Sequence, residues 1–127
     1  MRSLKTHFGS QGEKIAANFL QKNGFEILEM NYQNSSGRRL GEIDIIAQEN
    51  KELVFVEVKT RNWKNYAGTL PEENITYAKL KKMARIAESY LRQKNILDCT
   101  YRFDAISVWI DPDARQAKVK HLRNIYL

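Results

Sequence analysis

The sequence predicts a single α/β domain spanning residues 1–127, with a mixed central β-sheet flanked by two helices. A chain of 127 residues suits one hydrophobic core. Apolar residues make up 43% and charged residues 28%, which is typical of a globular protein and not of a disordered one. Segments with helical and strand character follow one another in the order αβββαββ, and no repeat or low-complexity tract interrupts them.

The two predicted helices differ in charge. The first spans Ser10–Asn23, where Ser10 and Glu13 have the spacing of a capping box and Gly24 follows as a stop. The second spans Ile75–Lys94 and has its apolar residues on one face. Between residues 79 and 94 there are six basic residues and one acid, so most of the excess charge behind the net +6 lies on this helix.

Five segments have the β-branched content or the alternation of strands. They are Phe25–Tyr32, Leu40–Gln48, Leu53–Thr60, Tyr101–Ile110 and Arg115–Leu122. Turn-forming or polar residues separate them at 33–39, 49–52, 61–73 and 111–113. The short connection at 49–52 predicts that the second and third strands form a hairpin.

The sequence disfavours a secreted or membrane protein. Its first seven residues lack the apolar core of a signal peptide, and the longest apolar run is about four residues, far short of a membrane span. The single cysteine, Cys99, cannot form an internal disulfide. These features predict a cytoplasmic protein, and the positive charge favours a polyanionic partner.

Four charged residues belong to the predicted hairpin: Glu42, Asp44, Glu57 and Lys59. If the hairpin turns symmetrically between residues 50 and 51, Asp44 lies opposite Glu57 and Glu42 lies opposite Lys59. Because side chains alternate along a strand, all four are expected on one side of the sheet. The other side would be apolar, with Ile43, Ile45, Val54, Val56 and Val58.

Two carboxylates at cross-strand distance need a compensating charge. They repel by roughly 4 kcal/mol at 4 Å and an effective dielectric of 20. Lys59 supplies one positive charge, and a divalent cation supplies two; Mg²⁺ favours one or two carboxylates together with water and phosphate oxygens. A neighbouring ammonium stabilises hydroxide or the charge that develops on a phosphodiester. The alternative is a solvated strand end with cross-strand salt bridges.

The motif Gly41-Glu42-Ile43-Asp44, twelve further residues and Glu57-Val58-Lys59-Thr60-Arg61 resembles the core of the PD-(D/E)xK nuclease superfamily. The chain is most similar to the YraN family of small bacterial proteins, whose endonuclease activity is inferred from this motif and which is related to archaeal-type Holliday-junction resolvases. The likeness extends over nearly the whole chain, through Gly9-Ser10-Gln11-Gly12-Glu13, Arg102-Phe103-Asp104 and His121. Ile43 replaces the motif's proline, and the end, Asn124-Ile125-Tyr126-Leu127, differs from the family's Asn-Ala-Phe.

The resemblance implies a restriction-endonuclease-like fold and Mg²⁺- or Mn²⁺-dependent hydrolysis of DNA, with branched or damaged DNA as candidate substrates. Asp44 and Glu57 would bind the metal with the Val58 carbonyl, and Glu13 would join them from the first helix. Lys59 would position or stabilise the attacking water. Glu13 is equally well explained by the capping box, and Glu42 is either part of the metal site or a salt-bridge partner of Lys59.

The candidate nucleic-acid contacts are basic residues near the motif and on the second helix: Arg61, Lys79, Lys81, Lys82 and Arg85. Lys79 matches a lysine of the family, but a lysine that snorkels over the core explains it equally well. Lys81 and Arg85 lie on the solvated face and either contact phosphates or keep the helix soluble. Trp63 and Tyr66 either stack on exposed bases or pack on the sheet.

Two residues near the end of the chain have structural explanations. Asp104 is expected to anchor Arg102 or another basic group, and His121 is expected to be a satisfied core histidine. Two other functions also fit the sequence. One is a non-catalytic nucleic-acid-binding module, which the complete motif disfavours; the other is a protein-interaction subunit whose basic helix docks on an acidic partner. A homodimer is compatible with either function and with the nuclease.

Overall fold

A computed structural model describes residues 7–34, 37–64 and 76–125, and these contain two helices and five strands in the order αβββαββ. Their bounds are α1 His7–Lys22, β1 Glu26–Gln33, β2 Glu42–Glu49, β3 Glu52–Asn62, α2 Tyr77–Gln93, β4 Tyr101–Asp111 and β5 Gln116–Leu122. The predicted fold class is confirmed. Tyr66, the predicted helix start at Ile75 and most of the polar segment 61–73 lie outside the described residues.

The sheet is mixed, as expected, with its strands in the order β1-β2-β3-β4-β5. The β3–β4 pair is parallel and the other three pairs are antiparallel. The connection that returns to a parallel strand contains α2, as parallel pairing requires a long crossover. The hairpin between β2 and β3 turns symmetrically, with Glu49 paired to Glu52, and Asn50 adopts the positive φ of 56° that its tight turn requires.

Two apolar clusters cover the two faces of the sheet. We call the side under α1 the α1 face and the side under α2 the α2 face. Ile45 and Val56 pack with Ala16 and Leu20 of α1, whereas the adjacent positions in the same strands pack with Ile86, Ala87 and Tyr90 of α2. The central strands of the sheet are therefore buried on both sides. Neither of the described helices is long and apolar enough to cross a lipid bilayer.

The first helix already includes His7, three residues before its predicted start. Ser10 and Glu13 therefore lie within the helix, and the predicted capping box is wrong. Glu13 is instead 4% exposed, next to the buried residues of the α1 face. The carboxylate thus lies in the protein interior, where a charge needs compensating partners.

Candidate metal centre

The motif lies where β2 and β3 separate. Their paired residues extend from Glu49 and Glu52 to Ile45 and Val56. Beyond the pair of Ile45 and Val56, the Val58 N–H donates to the Asp44 side chain, with 2.8 Å between N and Oδ2. A side-chain oxygen accepts a bond from the neighbouring strand's backbone, which fixes the Asp44 carboxylate in the opening between the two strands.

The residues of β2 change face at this point, where β2 pairs with β1. Ile45 packs under α1 and Ile43 packs under α2, although residues two apart normally share a face. In β1 the pairs Met30–Ile45 and Tyr32–Ile43 flank Asn31, which therefore lies opposite Asp44. Asn31 has a positive φ of 56°. Because the alternation is interrupted here, Ile43 and Ile45 lie on opposite faces of the sheet. The prediction of one apolar face that contains both is therefore wrong.

The interruption also affects how the four charged residues of the motif group. The carboxylates of Glu42 and Asp44 group with Glu13 of α1. Glu57 follows the alternation of Leu53 and Phe55 and belongs to the α2 face, as does Lys59. The alternation on which the shared side rested is thus interrupted at Asp44, and the projection of all four charged side chains to one side stays a prediction.

Three carboxylates form a group that we call the acidic cluster: Glu13, Glu42 and Asp44. One oxygen from each lies within 4.8 Å of the others. Asn31 Nδ2 donates to Glu13 Oε1 at 2.9 Å and to Glu42 Oε1 at 3.3 Å, and Gln33 Nε2 donates to Glu42 Oε2 at 3.4 Å. The amide donors offset part of the repulsion that grouping the carboxylates creates.

Asn31 is a site residue that sequence reasoning missed. It lies inside the predicted first strand, Phe25–Tyr32, where the pattern predicts a regular strand position. Two signals were available: asparagine is depleted in strands, and it is one of the few residues that readily adopt a positive φ. Neither signal could show that its amide reaches two carboxylates from other elements, because that depends on tertiary structure.

Gly12 lets α1 approach the sheet closely and places Glu13 in the cluster. A Cβ atom built on Gly12 would lie 1.9 Å from Thr60 Oγ1 and 2.8 Å from Thr60 Cβ. The helix therefore touches β3 at a position where only glycine fits. Because Glu13 is the next residue, this contact sets how deep its carboxylate reaches.

We expect Gly12→Ala to destabilise the fold and to displace Glu13. The new methyl must push α1 away from Thr60, and overpacking of this kind costs about 1–3 kcal/mol, which outweighs the higher helix propensity of alanine. Urea unfolding followed by circular dichroism measures the loss. Asn18→Ala, at an exposed position of the same helix, is the control and should be neutral or slightly stabilising. Equal stability of both variants would contradict the close contact.

Glu57 has a different environment from the acidic cluster. Its Oε1 lies 3.3 Å from Lys79 Nζ, and its Oε2 is buried and has no hydrogen-bond partner in the part of the chain that the structure describes. A cavity of about 220 Å³ separates it from α2 and is lined by Leu40, Gly41, Glu42, Glu57, Lys79, Lys82, Met83 and Ile86. Glu42 belongs to both the cavity wall and the acidic cluster, so the two groups of acids are neighbours.

The predicted basic residues occupy the α2 side. Lys59 is exposed on β3, and Lys81, Lys82 and Arg85 are exposed on α2. Lys79 and Lys82 also line the cavity beside Glu57. The helix therefore presents positive charge next to Glu57 and over the surface beyond it.

Asp104 forms a second polar centre, on β4. It is fully buried, and its carboxylate accepts bonds from Arg102 Nε at 2.9 Å, His121 Nε2 at 2.7 Å and the Asn124 N–H at 2.8 Å. Arg102 also reaches Glu49 and Glu52 at the hairpin turn. The expected anchoring of Arg102 and the satisfied core histidine are both confirmed.

Burial alone would raise the pKa of Asp104, but bonds from His121, Arg102 and the backbone of Asn124 outweigh it and lower the pKa below its usual value. The same Asp104 hydrogen bonds are the main reason that the pKa of Arg102 is raised. Both groups are thus held in their charged forms. This centre ties β4, β5 and the turn of the hairpin together.

Comparisons with known proteins identify one family. The model of the Uncharacterised protein family UPF0102 matches residues 12–108, which include the acidic cluster, Glu57 and Lys59. A UPF0102 protein of Caldanaerobacter subterraneus subsp. tengcongensis is 41% identical over 123 residues, 96% of each chain. A UPF0102 protein of Clostridium beijerinckii is 34% identical over 126 residues, covering 99% of this chain and 98% of the relative. This chain belongs to the UPF0102 family.

Proposed function

We propose that this protein is a DNA endonuclease of the PD-(D/E)xK type that requires Mg²⁺ or Mn²⁺. The observation that supports it most strongly is the grouping of Glu13, Glu42 and Asp44 within 4.8 Å at the opening of the motif hairpin. The three residues come from α1 and β2, far apart in sequence. Buried and half-buried carboxylates that lie together repel one another, and this destabilises the fold. A divalent cation bound between them offsets that repulsion.

The donor set fits a hard divalent ion. Mg²⁺ binds oxygen at about 2.0–2.1 Å, so its ligand oxygens lie roughly 3–4 Å apart, and a small closure of the acidic cluster reaches that spacing. The atoms that the acidic cluster offers to a metal are all carboxylate oxygens, which Mg²⁺ and Mn²⁺ prefer as ligands. When bound, such an ion polarises a phosphodiester and lowers the pKa of water.

Glu57 supports the same proposal from the other side of the opening. A buried carboxylate oxygen without a donor is costly, and Oε2 of Glu57 is such an atom. Its other oxygen is held by Lys79, an ammonium with 39% side-chain exposure. We infer that Lys79 neutralises Glu57 when no metal is bound, and that Glu57 turns from Lys79 to complete the ligand set.

The basic residues then have distinct roles. Lys59 lies two positions from Glu57 on the same face of β3, and its ammonium stabilises charge on the attacked phosphate or the entering hydroxide. Lys81, Lys82 and Arg85 are exposed on α2 and contact the DNA backbone without regard to sequence. Releasing Lys79 from Glu57 adds one more cation to this surface.

A cleavage assay tests the proposal. The purified chain is incubated with duplex, single-stranded, flap and four-way-junction DNA, with Mn²⁺ or with EDTA. We expect Mn²⁺-dependent cleavage of at least one form. DNA binding that is unaffected by Mn²⁺, with no cleavage of any form, would overturn the nuclease in favour of a binding module. Capture of an acidic protein without DNA binding would favour an interaction subunit.

Lys79→Gln should have opposite effects on the two ligands. Removing the ammonium frees Glu57 and removes a positive charge beside the metal, so Mn²⁺ should bind more tightly in calorimetry. The same change leaves the Glu57 carboxylate without its cation, so a negative charge faces the DNA and the DNA affinity in EDTA should fall. Lys81→Gln is the matched control: it carries the same charge change on the same helix, away from the cavity lining, and should leave Mn²⁺ affinity unchanged. Equal Mn²⁺ affinity in both variants would contradict the role of Lys79.

A further inference from the structure

Two hydrogen-bond donors of Arg61 have no partner among residues 7–34, 37–64 and 76–125. They are its Nε and Nη2 atoms, and both are buried. Buried polar groups in proteins are nearly always paired, and an unpaired donor of a charged group is among the costliest exceptions. Such donors call for a partner that the described residues do not supply, such as a bound ion or an ordered water.

The unpaired atoms define the shape of that partner. Nε–H and one Nη–H of a guanidinium point in parallel and bind two oxygens of one anion. Arg102 shows the arrangement in the same protein: its Nε donates to Asp104 Oδ1 at 2.9 Å and its Nη2 to Asp104 Oδ2 at 3.2 Å. Arg61 presents the same pair of atoms without the carboxylate. The missing ligand is therefore an oxyanion with two oxygens on one centre.

The position of Arg61 narrows the choice of oxyanion. In β3 the residues on the α2 face are Leu53 and Phe55, followed at the same spacing by Glu57, Lys59 and Arg61. Thr60 lies on the opposite face, against Gly12 of α1. Arg61 and Lys59 are thus neighbours on one face, with their Cα atoms about 6.6–6.8 Å apart. This separation is comparable to that between neighbouring phosphates along one nucleic-acid strand.

We propose that Arg61 binds a backbone phosphate of the nucleic acid through Nε and Nη2, next to the phosphate that Lys59 contacts. The proposal rests on the proposed nuclease function for the identity of the anion. Arg61 is half-buried, so rotation of its side chain brings the donor pair to an anion at the surface. Arg61 is then a positioning residue: it fixes the strand so that one particular phosphate lies over Lys59 and Glu57.

The first experiment measures binding of fluorescently labelled single-stranded DNA in EDTA, over a series of salt concentrations. Arg61→Gln should weaken binding about tenfold, as expected for a lost charge-assisted pair of bonds, and should lower the salt slope by about 0.7. Arg61→Lys should keep the salt slope of the wild type but bind DNA more weakly, because lysine retains the charge and loses the two parallel donors. Arg115→Gln and Arg115→Lys, at an exposed turn position, are the matched controls.

The second experiment measures thermal unfolding of the wild type and Arg61→Met. Methionine removes the unpaired donors and keeps an unbranched apolar chain, so the variant should melt at or above the wild-type temperature. Pyrophosphate, at matched ionic strength, should raise the melting temperature of the wild type more than that of the variant. A structural arginine would give the reverse: a lower melting temperature and an equal response to pyrophosphate.

The outcomes separate this inference from the nuclease itself. If the chain binds DNA through Arg61 as described but cleaves nothing, the phosphate site stands and the nuclease fails. If the wild type cleaves DNA while the Arg61 variants bind as the Arg115 controls do, the phosphate site is overturned and the nuclease stands. Full affinity in Arg61→Lys would also overturn it, since charge alone would then account for binding.

Discussion

Asp44→Asn should abolish metal binding and DNA cleavage while leaving the fold intact. The asparagine amide oxygen can still accept the bond from the Val58 N–H, so the opening between β2 and β3 keeps its shape. The variant nevertheless loses a charged ligand oxygen from the acidic cluster. Even residues that only orient metal ligands contribute about 10–100-fold to metal affinity, so this loss should exceed about 100-fold in Mn²⁺ calorimetry. DNA affinity should rise, because a negative charge beside the phosphate disappears.

Lys59→Ala separates the metal site from the reaction. Lys59 is not a ligand, so Mn²⁺ should bind as in the wild type, but turnover should fall by about 10²–10³-fold because the charge that aids the reacting phosphate is gone. Asp113→Asn, in the exposed β4–β5 turn, is the charge-matched control for Asp44→Asn and should change neither property. If Asp44→Asn and Lys59→Ala both alter only the unfolding curve, the motif is structural.

The second large effect should come from Asp104→Asn, and it should be on stability. Both carboxylate oxygens of Asp104 accept bonds from donors, so an amide nitrogen in either position faces a donor and Arg102 loses its buried partner. Breaking a buried pair costs about 3–5 kcal/mol. Urea unfolding should show a lower midpoint with an unchanged slope. Asp98→Asn, which is exposed, is the control and should unfold as the wild type does.

The loss in Asp104→Asn should depend on pH. The pKa of Asp104 is lower in the folded than in the unfolded protein, so its carboxylate contributes stability above the unfolded value of about 4. This contribution disappears as the pH falls through the lower, folded pKa. The stability difference between wild type and variant should therefore be largest near neutral pH and should shrink below about pH 4. A difference that stays constant into the acid range would contradict the charged hydrogen-bonded Asp104.

The fold was predictable because its signals are local. The strong apolar patterns of β2 and β3, the short connection between them and the amphipathic α2 specified the mixed sheet and the register of the hairpin turn. The start of α1 was misplaced since the spacing of Ser10 and Glu13 imitates a capping box inside the helix. The resemblance nevertheless named Glu13 as a candidate metal ligand, and its carboxylate lies with those of Glu42 and Asp44.

The details of the site were less predictable, because they depend on one irregular position in two strands. Alternation placed Glu57 on the face where it meets Lys79 of α2, but it failed at Asp44, where Asn31 adopts a positive φ and β2 changes face. No pattern in β2 marks this change. The donors from Asn31 and the ion pair between Lys79 and Glu57 also depend on tertiary packing, which residue spacing does not encode.

The most direct test of the proposed metal site is an anomalous difference map from crystals of this protein soaked in Mn²⁺. We predict one strong peak bordered by the carboxylates of Glu13, Glu42 and Asp44, with Glu57 turned away from Lys79 toward the ion. Crystals of Asp44→Asn treated in the same way should lack the peak. A wild-type map with no peak at the acidic cluster, or with Mn²⁺ only at other surface carboxylates, would contradict the metal-dependent nuclease.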